Sequence, residues 1–335
     1  MIHNQWYAVL ESNEVKSNTI LGVTRLGEKL AFWRDGNGKL SCLLDKCIHR
    51  GVALSYGEYC DANHIRCPFH GLEYDMYGKV VAIPANGRTA PVQERFKVRA
   101  YPVYERDSLV FVYWSEKDLS RDEFAAITPP EYFDDITADL QYATVKDYWK
   151  THYSRCIENQ LDAPHVPFVH YNTIGRGNRT VIDGPVVDKV SDKKFYVYVY
   201  MRKEDGTVAK KAAELPQKNI NQFKLEFIFP NLWENHINDK IRILIAFAPV
   251  DENNTILYMR FYQNMVKGKT LGKLFSWLAM PFNLKVAHQD RHVVHTQVPK
   301  VTALQMGEEL FPGDLPIIHY RKRREELKKL VEGRK

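Results

Sequence analysis

The sequence has no long hydrophobic run, few cysteines and, over most of its length, almost no net charge. None of its apolar stretches approaches the roughly 18 residues that a membrane-spanning helix needs, although 44% of the 335 residues are hydrophobic. The first residues carry no apolar core of the kind found in a secretory signal peptide. These absences argue against a membrane span and predict a cytoplasmic protein with no membrane partner.

The cysteine content points to the same compartment. Five cysteines are too few for a disulfide framework in a chain of this length, so a reducing environment is expected. Cys42, Cys60 and Cys156 belong to no motif, and we expect them to be free thiols that pack as small apolar groups. The other two cysteines stand beside histidines, which turns attention to metal binding.

The net charge of +6 is concentrated in one segment. Eight basic and three acidic residues lie between Arg321 and Lys335, so residues 1–320 are almost neutral. The body therefore lacks the basic surface typical of nucleic-acid binding, and we predict no nucleic-acid partner. The basic segment is compatible with a solvated helix face and with a docking surface for an acidic partner. Four of its apolar positions are expected to pack against the body: Tyr320, Leu327, Leu330 and Val331.

The first part of the chain has the pattern of a β domain. Residues 1–115 contain short strand-type segments separated by turn residues, for example at Asp35–Gly38 and at Tyr77-Gly78. Residues 116–135 are polar and charged and include Pro129-Pro130, which makes them the expected connector between two domains.

The second domain, residues 136–335, mixes both kinds of pattern. Strand-type alternation occupies the region from Val181 to Gln263, with a turn expected at Asn253-Asn254. Helices are expected at 146–161, at 271–304 and in the basic segment. An antiparallel sheet bracketed by helices is an α+β arrangement.

Four potential metal ligands occur as two short pairs, Cys47 with His49 and Cys67 with His70. Two cysteines and two histidines can hold one zinc ion, or a [2Fe–2S] cluster with cysteines on one iron and histidines on the other. The C-x-H pair is tighter than zinc-finger spacing, and two loops that each supply one Cys and one His favour the cluster. A glycine follows each loop, which lets the backbone turn closely around the group.

These loops resemble the Rieske domain, whose motif is C-x-H…C-x-x-H. The flanking segments CIHRGVALSYGE and CPFHGLEYDMYGKVVAIPA match it as well. The resemblance implies an all-β domain in which Cys47, His49, Cys67 and His70 bind a Rieske [2Fe–2S] cluster.

A second group of polar residues follows the first predicted helix of the second domain. Asp162 and His165 are three residues apart, and His170 lies beyond Pro167, from where it can fold back towards them. Two imidazoles and one carboxylate on one face of iron(II) leave positions open for O₂ and substrate. Alone, this pattern is weak evidence, since most histidines are structural.

The passage is similar to the N-x-x-D-x-x-H-x₄-H motif of the Rieske non-haem iron oxygenases, in their catalytic (α) subunit. The resemblance extends over essentially the whole chain and implies a helix-grip catalytic domain after the Rieske domain. It implies that His165 and His170 bind a mononuclear iron(II). Asp162 would be the carboxylate that bridges an iron-ligand histidine and a cluster histidine of a neighbouring subunit, and Asn159 the amide near the iron.

The third iron ligand has two alternatives on one predicted helix. His288, His292 and His295 share a helical face and could form an all-histidine site. Asp290 points about 200° away from His288, so one face cannot present both sets. The family has an acidic ligand in an E/Q-D context, which Gln289-Asp290 approaches, and we therefore predict Asp290 as the ligand.

The resemblance also implies the chemistry. A reductase or ferredoxin would supply electrons to the cluster, and the iron would activate O₂ beside a small organic substrate, aromatic or alkaloid-like. Transfer between subunits implies a homotrimer. The chain length is similar to that of single-subunit-type members, which favours a hydroxylating or demethylating monooxygenase over a ring dihydroxylase. The alternatives are a Rieske electron-transfer protein without oxygenase activity and a zinc protein.

Overall fold

The computed structural model describes residues 1–60, 64–215 and 223–332. The chain divides into two compact units, an N-terminal unit of residues 1–130 and a C-terminal unit of residues 131–335. The fold is α+β, with small antiparallel sheets in the first unit and a large antiparallel sheet with its helices in the second, as the sequence predicts.

The N-terminal unit consists of three small antiparallel sheets. Their strand orders are β1-β10-β9, β2-β3-β4 and β5-β6-β7-β8, and one short helix, α1 (Arg121–Ala126), follows them. The strands are β1 (Gln5–Glu11), β2 (Ile20–Arg25), β3 (Glu28–Arg34), β4 (Leu40–Leu44), β5 (Glu58–Cys60), β6 (His64–Arg66), β7 (Glu73–Tyr74), β8 (Val80–Ala82), β9 (Val103–Arg106) and β10 (Leu109–Trp114).

The two predicted turns of this unit are confirmed and share one construction. Asp35 Oδ1 accepts hydrogen bonds from the amides of Asn37 and Lys39 at 2.8 and 2.9 Å. Asp75 Oδ1 does the same for the amides two and four residues further on, both at 2.9 Å. An aspartate that caps its own turn in this way favours a tight reversal between short strands.

The C-terminal unit is built on one seven-stranded antiparallel sheet. Its strand order is β11-β17-β16-β15-β14-β13-β12, so six strands form a meander and β11 pairs with the last of them. The elements are β11 (Gln141–Trp149), α2 (Tyr153–Leu161), α3 (Val166–Val169), β12 (Val181–Lys189), β13 (Lys194–Arg202), β14 (Lys224–Ile228), β15 (Leu232–Asn238), β16 (Ile241–Pro249), β17 (Thr255–Gln263), α4 (Lys269–Val294) and α5 (Leu315–Glu332).

The helices lie against this sheet and against each other. Helix α4 packs on β11 and β17, α5 packs on β12, and α2 contacts β16, α4 and α5. The predicted turn at Asn253-Asn254 is confirmed between β16 and β17, where Asp251 accepts a hydrogen bond from the Asn253 amide at 2.8 Å.

The predicted helix 146–161 is wrong in its first part. Residues 146–149 belong to β11, which pairs with β17 over nine residues, and the helix begins only at Tyr153. A buried charge hides the strand alternation: Asp147 accepts a hydrogen bond from Trp149 Nε1 at 2.9 Å and pairs with Arg291 of α4. Tertiary pairing decides the structure here, not local propensity.

The predicted helix 271–304 is wrong at its end, because α4 stops at Val294. The ten residues that follow are irregular and include Pro299, which cannot continue a helix. Within the described residues, no helix is long and apolar enough to cross a bilayer.

The basic segment forms α5 as expected, but two of its cations are internal. Arg321 and Arg324 are 4% and 3% exposed. Arg321 donates to both carboxylate oxygens of Glu158 at 2.9 and 2.7 Å and to Glu308 at 2.6 Å. Arg321 thus ties α5 to α2, and Arg324 donates to the Thr302 carbonyl at 2.8 Å, so neither a solvated face nor a docking surface describes these two residues. Tyr320, Leu327 and Val331 are buried as predicted, whereas Leu330 is exposed.

Candidate metal centres

The two Cys/His loops of the N-terminal unit have the same backbone design. In the first, the Gly51 amide donates to the Cys47 carbonyl at 2.9 Å, and the Cys47 amide donates to Val52 at 2.7 Å. In the second, the Gly71 amide donates to the Cys67 carbonyl at 3.1 Å, and the Cys67 amide donates to the Leu72 carbonyl at 2.9 Å. Both glycines have a φ near the left-handed region, +74° and +73°, which disfavours any other residue.

The ligand side chains of these loops face each other. The imidazole rings of His49 and His70 are exposed, and their centroids are 4.6 Å apart. Cys47 and Cys67 are buried in the core of the unit. A group held here would have its sulfur side in the protein and its histidine side at the surface.

Tyr74 belongs to this site, although sequence reasoning did not single it out. Its hydroxyl lies 3.1 Å from Cys47 Sγ and accepts a hydrogen bond from the Ile48 amide at 3.1 Å. Burial, followed by the neighbouring Cys47, raises the pKa of Tyr74, so its hydroxyl keeps a proton to donate to a thiolate. The signal in the sequence was its place four residues after His70, within the matched flank.

The geometry of these loops does not fit a single zinc ion. Four ligands of one tetrahedral zinc lie within about 4 Å of one another. Among the described residues, the sets of three or more donor atoms within 4.8 Å do not include these two cysteines and two histidines. A two-iron cluster, which separates its sulfur and nitrogen ligands, suits the wider spacing.

A second site forms in the C-terminal unit where α2 ends. Asp162 is the residue after the last turn of α2, and His165 and His170 flank the single turn of α3. Pro164 follows the end of α2, and Pro167 lies in the first turn of α3, where proline is accepted. The single turn of α3 brings His165 Nε2 to 3.3 Å from His170 Nε2. Two imidazole nitrogens this close call for a cation or a proton between them.

Asp290 of α4 completes this group. Its Oδ1 lies 2.9 Å from His170 Nε2 and 3.3 Å from His165 Nε2. Three ligands on one face of an octahedral ion, each about 2.1 Å from it, are about 3 Å apart. The donor set and spacing therefore fit a mononuclear iron(II) site of two histidines and one carboxylate.

The histidine trio of α4 takes no part in this group. His288 is exposed and lies 3.4 Å from Asp147, and His292 is also exposed. His295 Nε2 accepts a hydrogen bond from the Lys150 amide at 3.1 Å. Asp290 points inward, on the opposite side of the helix, and only 4% of it is exposed.

The electrostatics of the group favour a bound cation. Burial raises the pKa of Asp290, but the imidazoles of His165 and His170 outweigh it and lower the pKa to about 2. Burial likewise lowers the pKa of His165, and the carboxylates of Asp162 and Asp290 reverse this and raise the pKa to about 9. An ionised carboxylate is thus buried among imidazoles, where a metal ion can replace the proton.

Gln289 fixes the orientation of His170. Its Oε1 accepts hydrogen bonds from His170 Nδ1 at 3.0 Å and from Thr173 Oγ1 at 2.8 Å. Its Nε2 donates a hydrogen bond to Asn172 Oδ1 at 2.8 Å. This bond leaves the oxygen end of the Gln289 amide facing His170. The proton of His170 is thereby held on Nδ1, and Nε2 is free to bind a metal.

Gly175 brings the loop after His170 against α3. A side chain at this position would place its Cβ 2.1 Å from the Val166 carbonyl oxygen, which the chain cannot accommodate. The Gly175 amide donates to the His170 carbonyl at 2.9 Å. Sequence reasoning missed this glycine because it lies outside the histidine motif.

Asp162 and Asn159 lie on the α2 side of the group. Asp162 Oδ1 accepts a hydrogen bond from the His165 amide at 3.3 Å and is 3.9 Å from His165 Nδ1. The Asp162 side chain is 31% exposed, so part of the carboxylate faces outward. Asn159 Nδ2 is buried and has no hydrogen-bond partner among the residues that the structure describes.

A third group of potential ligands, Asp135, Glu234 and His236, also lies within reach of one ion. Here Arg242 already supplies the cation: its Nε is 2.9 Å from Asp135 Oδ2, the same oxygen that meets His236 Nδ1 at 2.9 Å. A guanidinium at this distance competes with a metal, so we assign the group as a buried ion pair.

The three non-motif cysteines are free thiols, as predicted. Cys42 and Cys156 are fully buried, whereas Cys60 is only partly buried. Burial raises the pKa of each of these thiols, which disfavours a reactive thiolate.

Comparison with known families matches both halves of the chain to domain families. Residues 5–102 match the Rieske [2Fe-2S] domain, and residues 149–330, more than half of the chain, match the vanillate O-demethylase oxygenase C-terminal domain. The chain belongs to the Rieske oxygenase family. Rieske oxygenases carry a [2Fe–2S] cluster in the first domain and a mononuclear iron(II) in the second.

Individual Rieske oxygenases and related proteins are similar over part or all of the chain. Protein TIC 55, chloroplastic, of Arabidopsis thaliana is 24% identical over 95% of this chain and 58% of its own length. The oxygenase component of dicamba O-demethylase from Stenotrophomonas maltophilia is 33% identical over 50% of this chain and 48% of its own length. The chain thus spans about half the length of these relatives.

The fold agrees with a solved Rieske oxygenase structure. NdmA of Pseudomonas putida CBB5 superposes with a TM-score of 0.79 at 21% sequence identity, over 98% of this chain and 92% of that one. At this identity the likeness concerns the fold.

Proposed function

We propose that the protein is a terminal oxygenase component that uses O₂ and externally supplied electrons to hydroxylate or oxidatively demethylate a small organic substrate. One observation carries the proposal: His165, His170 and Asp290 converge with donor atoms 2.9 to 3.3 Å apart, in a chain that also has the two Rieske loops. A Rieske electron carrier has no use for the second group.

His165, His170 and Asp290 would hold the mononuclear iron, and Cys47, His49, Cys67 and His70 the cluster. When bound, the iron would supply O₂ activation, and the cluster would supply electrons one at a time. The protein's own contribution is orientation. Gln289 keeps the proton of His170 on Nδ1, and Asp290 stays ionised and buried, so these two ligands are ready to bind a metal. His165, whose pKa burial lowers but the two carboxylates raise to about 9, gives up its proton as the metal binds.

Asp162 is the proposed connection between the two kinds of centre. It reaches His165 on one side and is partly exposed on the other, which leaves an oxygen for a histidine from outside the unit. In our proposal that histidine is a cluster ligand of a neighbouring subunit in a homotrimer. A reductase or ferredoxin would reduce the cluster from its exposed histidine side, in the cytoplasm.

Demethylation or hydroxylation of an aromatic or alkaloid-like compound is the reaction that we favour over ring dihydroxylation. The names of the similar proteins support it, since they include an O-demethylase of dicamba.

Metal analysis separates the proposal from its alternatives. Iron and acid-labile sulfide are measured on the purified protein, together with the visible spectrum of the cluster. Three irons and two sulfides per chain are expected for an oxygenase. Two irons would make it a carrier, and zinc without sulfide would contradict both metal assignments.

Substrate class is tested by oxygen uptake. The protein is supplied with NADH and a reductase, and offered methoxy-aromatics, N-methyl compounds and alkaloids in turn. We expect product formation coupled to uptake, with formaldehyde released from the methylated compounds. The matched control is His170→Ala, which should keep the cluster spectrum and form no product.

A further inference from the structure

The first half of α4 differs from an ordinary surface helix in which residues face the protein and which face outward. Its small residues Gly272 and Ser276 face the sheet and are buried. Ser276 Oγ donates to the Gln141 carbonyl of β11 at 3.2 Å, and a Cβ on Gly272 would come within 2.7 Å of the Gln141 side chain. This close approach leaves no room for large side chains at these two positions, and Met280, one turn further on, is the large side chain that is buried on the inner side.

The large apolar side chains of this half point outward. At 100° per residue they cover about 160° of the helix surface. Trp277, Leu271 and Leu278 are 63%, 64% and 61% exposed, which is far from the burial expected of such side chains in a water-facing helix. We call the whole set the outer α4 face: Leu271, Leu274, Phe275, Trp277, Leu278 and Phe282.

The charged residues in the sequence of this half of α4 and of its approach are all of one sign. Lys267, Lys269, Lys273 and Lys285 are exposed before, beside and after it. There is no aspartate or glutamate anywhere between residues 253 and 289. An apolar face of leucine, phenylalanine and tryptophan with lysines at its margins has the composition of a helix that lies in the interface of a bilayer.

We propose that the outer α4 face binds the surface of a bilayer that contains anionic lipid. The apolar side chains enter the boundary between headgroups and acyl chains, and the lysines pair with lipid phosphates. The helix lies on the membrane and does not cross it, because its other side is packed on β11. This surface is independent of the metal sites, and the proposal does not rest on the oxygenase activity.

A second protein is the less suitable occupant. A protein partner would have to bring its own acidic residues to meet lysines that surround the face on several sides. A lipid surface with a negative charge meets all of them at once, whatever the rotation of the protein in the membrane plane. The lysine stems also allow the charges to reach the headgroups while the apolar side chains are inserted.

Vesicle sedimentation tests this proposal on the intact protein. Vesicles of phosphatidylcholine, with or without phosphatidylglycerol, are pelleted with the protein at low and high salt. We expect binding to the anionic vesicles and weaker binding at high salt. In the variant Leu274→Ser/Trp277→Ser/Leu278→Ser, we expect the partition coefficient to fall on the order of 100-fold. The matched control, Val208→Ser, alters a 90% exposed side chain elsewhere and should bind normally.

Trp277 offers a second, direct reading. The other five tryptophans are buried, so Trp277 is the tryptophan whose emission depends on contact with solvent or lipid. Anionic vesicles should shift that emission to shorter wavelength and protect it from acrylamide, and Trp277→Phe should bind vesicles without the shift. The proposal is overturned if the wild-type protein does not bind anionic vesicles. It is equally overturned if the triple variant binds them normally, or if its only defect is a smaller oligomer.

Discussion

The two metal centres of this protein are built in different ways. The cluster loops lie within residues 47–70, and each loop is closed by its own backbone hydrogen bonds. The second centre takes His165 and His170 from one short segment and Asp290 from a helix that begins about 100 residues later. The first is a local structure, whereas the second exists only when α2, α3 and α4 are packed together.

Helix α4 carries more of the second centre than one ligand. Asp290 faces both histidines, and its neighbour Gln289 orients His170. A small shift of α4 would therefore move a ligand and its support together. Damage to the packing of the C-terminal unit should affect the iron site and spare the cluster, and the following variants test that contrast.

The largest effect is expected from Asp162→Asn. The amide has the shape of the carboxylate but cannot serve as an ionised acceptor for two imidazoles. Both metals should remain, and turnover should be lost. Metal analysis and product formation are measured on the same preparation. A variant that forms product at the wild-type rate would remove Asp162 from the path between the centres.

Arg321→Met should destabilise the C-terminal unit by up to about 3 to 5 kcal/mol, because the buried Glu158 would lose its two-point contact with Arg321 and keep, among the described residues, only the 3.4 Å contact with Arg155. Urea unfolding is followed by far-ultraviolet circular dichroism and by the visible absorbance of the cluster. We expect the circular-dichroism transition to move to lower urea concentration while the visible absorbance of the cluster persists. Lys322→Met, at the adjacent exposed position, is the control and should change stability by less than about 0.5 kcal/mol. Loss of both signals together would contradict the contrast.

Gln289→Leu should weaken iron binding about 10- to 100-fold, since His170 loses the acceptor that holds its proton on Nδ1. Iron retention against a chelator and the absorption spectrum of a cobalt-substituted site measure this without turnover. The cluster spectrum should not change. Gln297→Leu, an exposed glutamine beyond the end of α4, should retain iron normally. Equal iron affinity in both variants would show that the hydrogen bond is not needed.

The smallest effect is a pH dependence that arises at the start of α2. Burial, with Arg324 and Lys328 nearby, lowers the pKa of His152 to about 3. The unfolded chain, with a pKa of about 6.5, takes up the proton first. Stability is therefore complete above pH ~6.5 and falls by at most about 1.4 kcal/mol per pH unit towards pH 3.

His152→Asn tests this, because asparagine can still accept the Ser154 amide hydrogen bond that caps α2. The Glu252 carboxylate, 3.6 Å from His152 Nε2, is unchanged in the variant. Urea midpoints between pH 7.5 and 5.5 should fall less steeply in the variant than in the wild type. Parallel slopes would assign the acid sensitivity to other groups.

The sequence predicted the local features of the protein better than those that depend on long-range packing. The cluster loops and their turns were predictable because Cys47, His49 and their glycine act through neighbours in the chain. The strands of the meander were also predictable from alternation. The start of α2 was not predictable. Asp147 is buried in β11 because it pairs with Arg291, which is distant in the sequence and therefore absent from any local pattern.

The support of the second centre was out of reach for a similar reason. Gln289 was noticed only as context for Asp290, and its bond to His170 spans 119 positions. Gly175 matters because it touches a carbonyl of α3. The outer α4 face is a further case: its residues have the pattern of a helix, but only the packed structure reveals which side is outside.

The link between Arg321 and Glu158 also has a consequence for the order of events during synthesis. Its two ends are 163 residues apart, and Arg321 lies in the last helix of the fold. The N-terminal unit can reach its native contacts while the ribosome is still translating the second half. The C-terminal unit has to wait for α5, and until then Glu158 has, of its described partners, only Arg155 of its own helix. The cluster loops can therefore be complete, and ready for iron and sulfide, well before the mononuclear site exists.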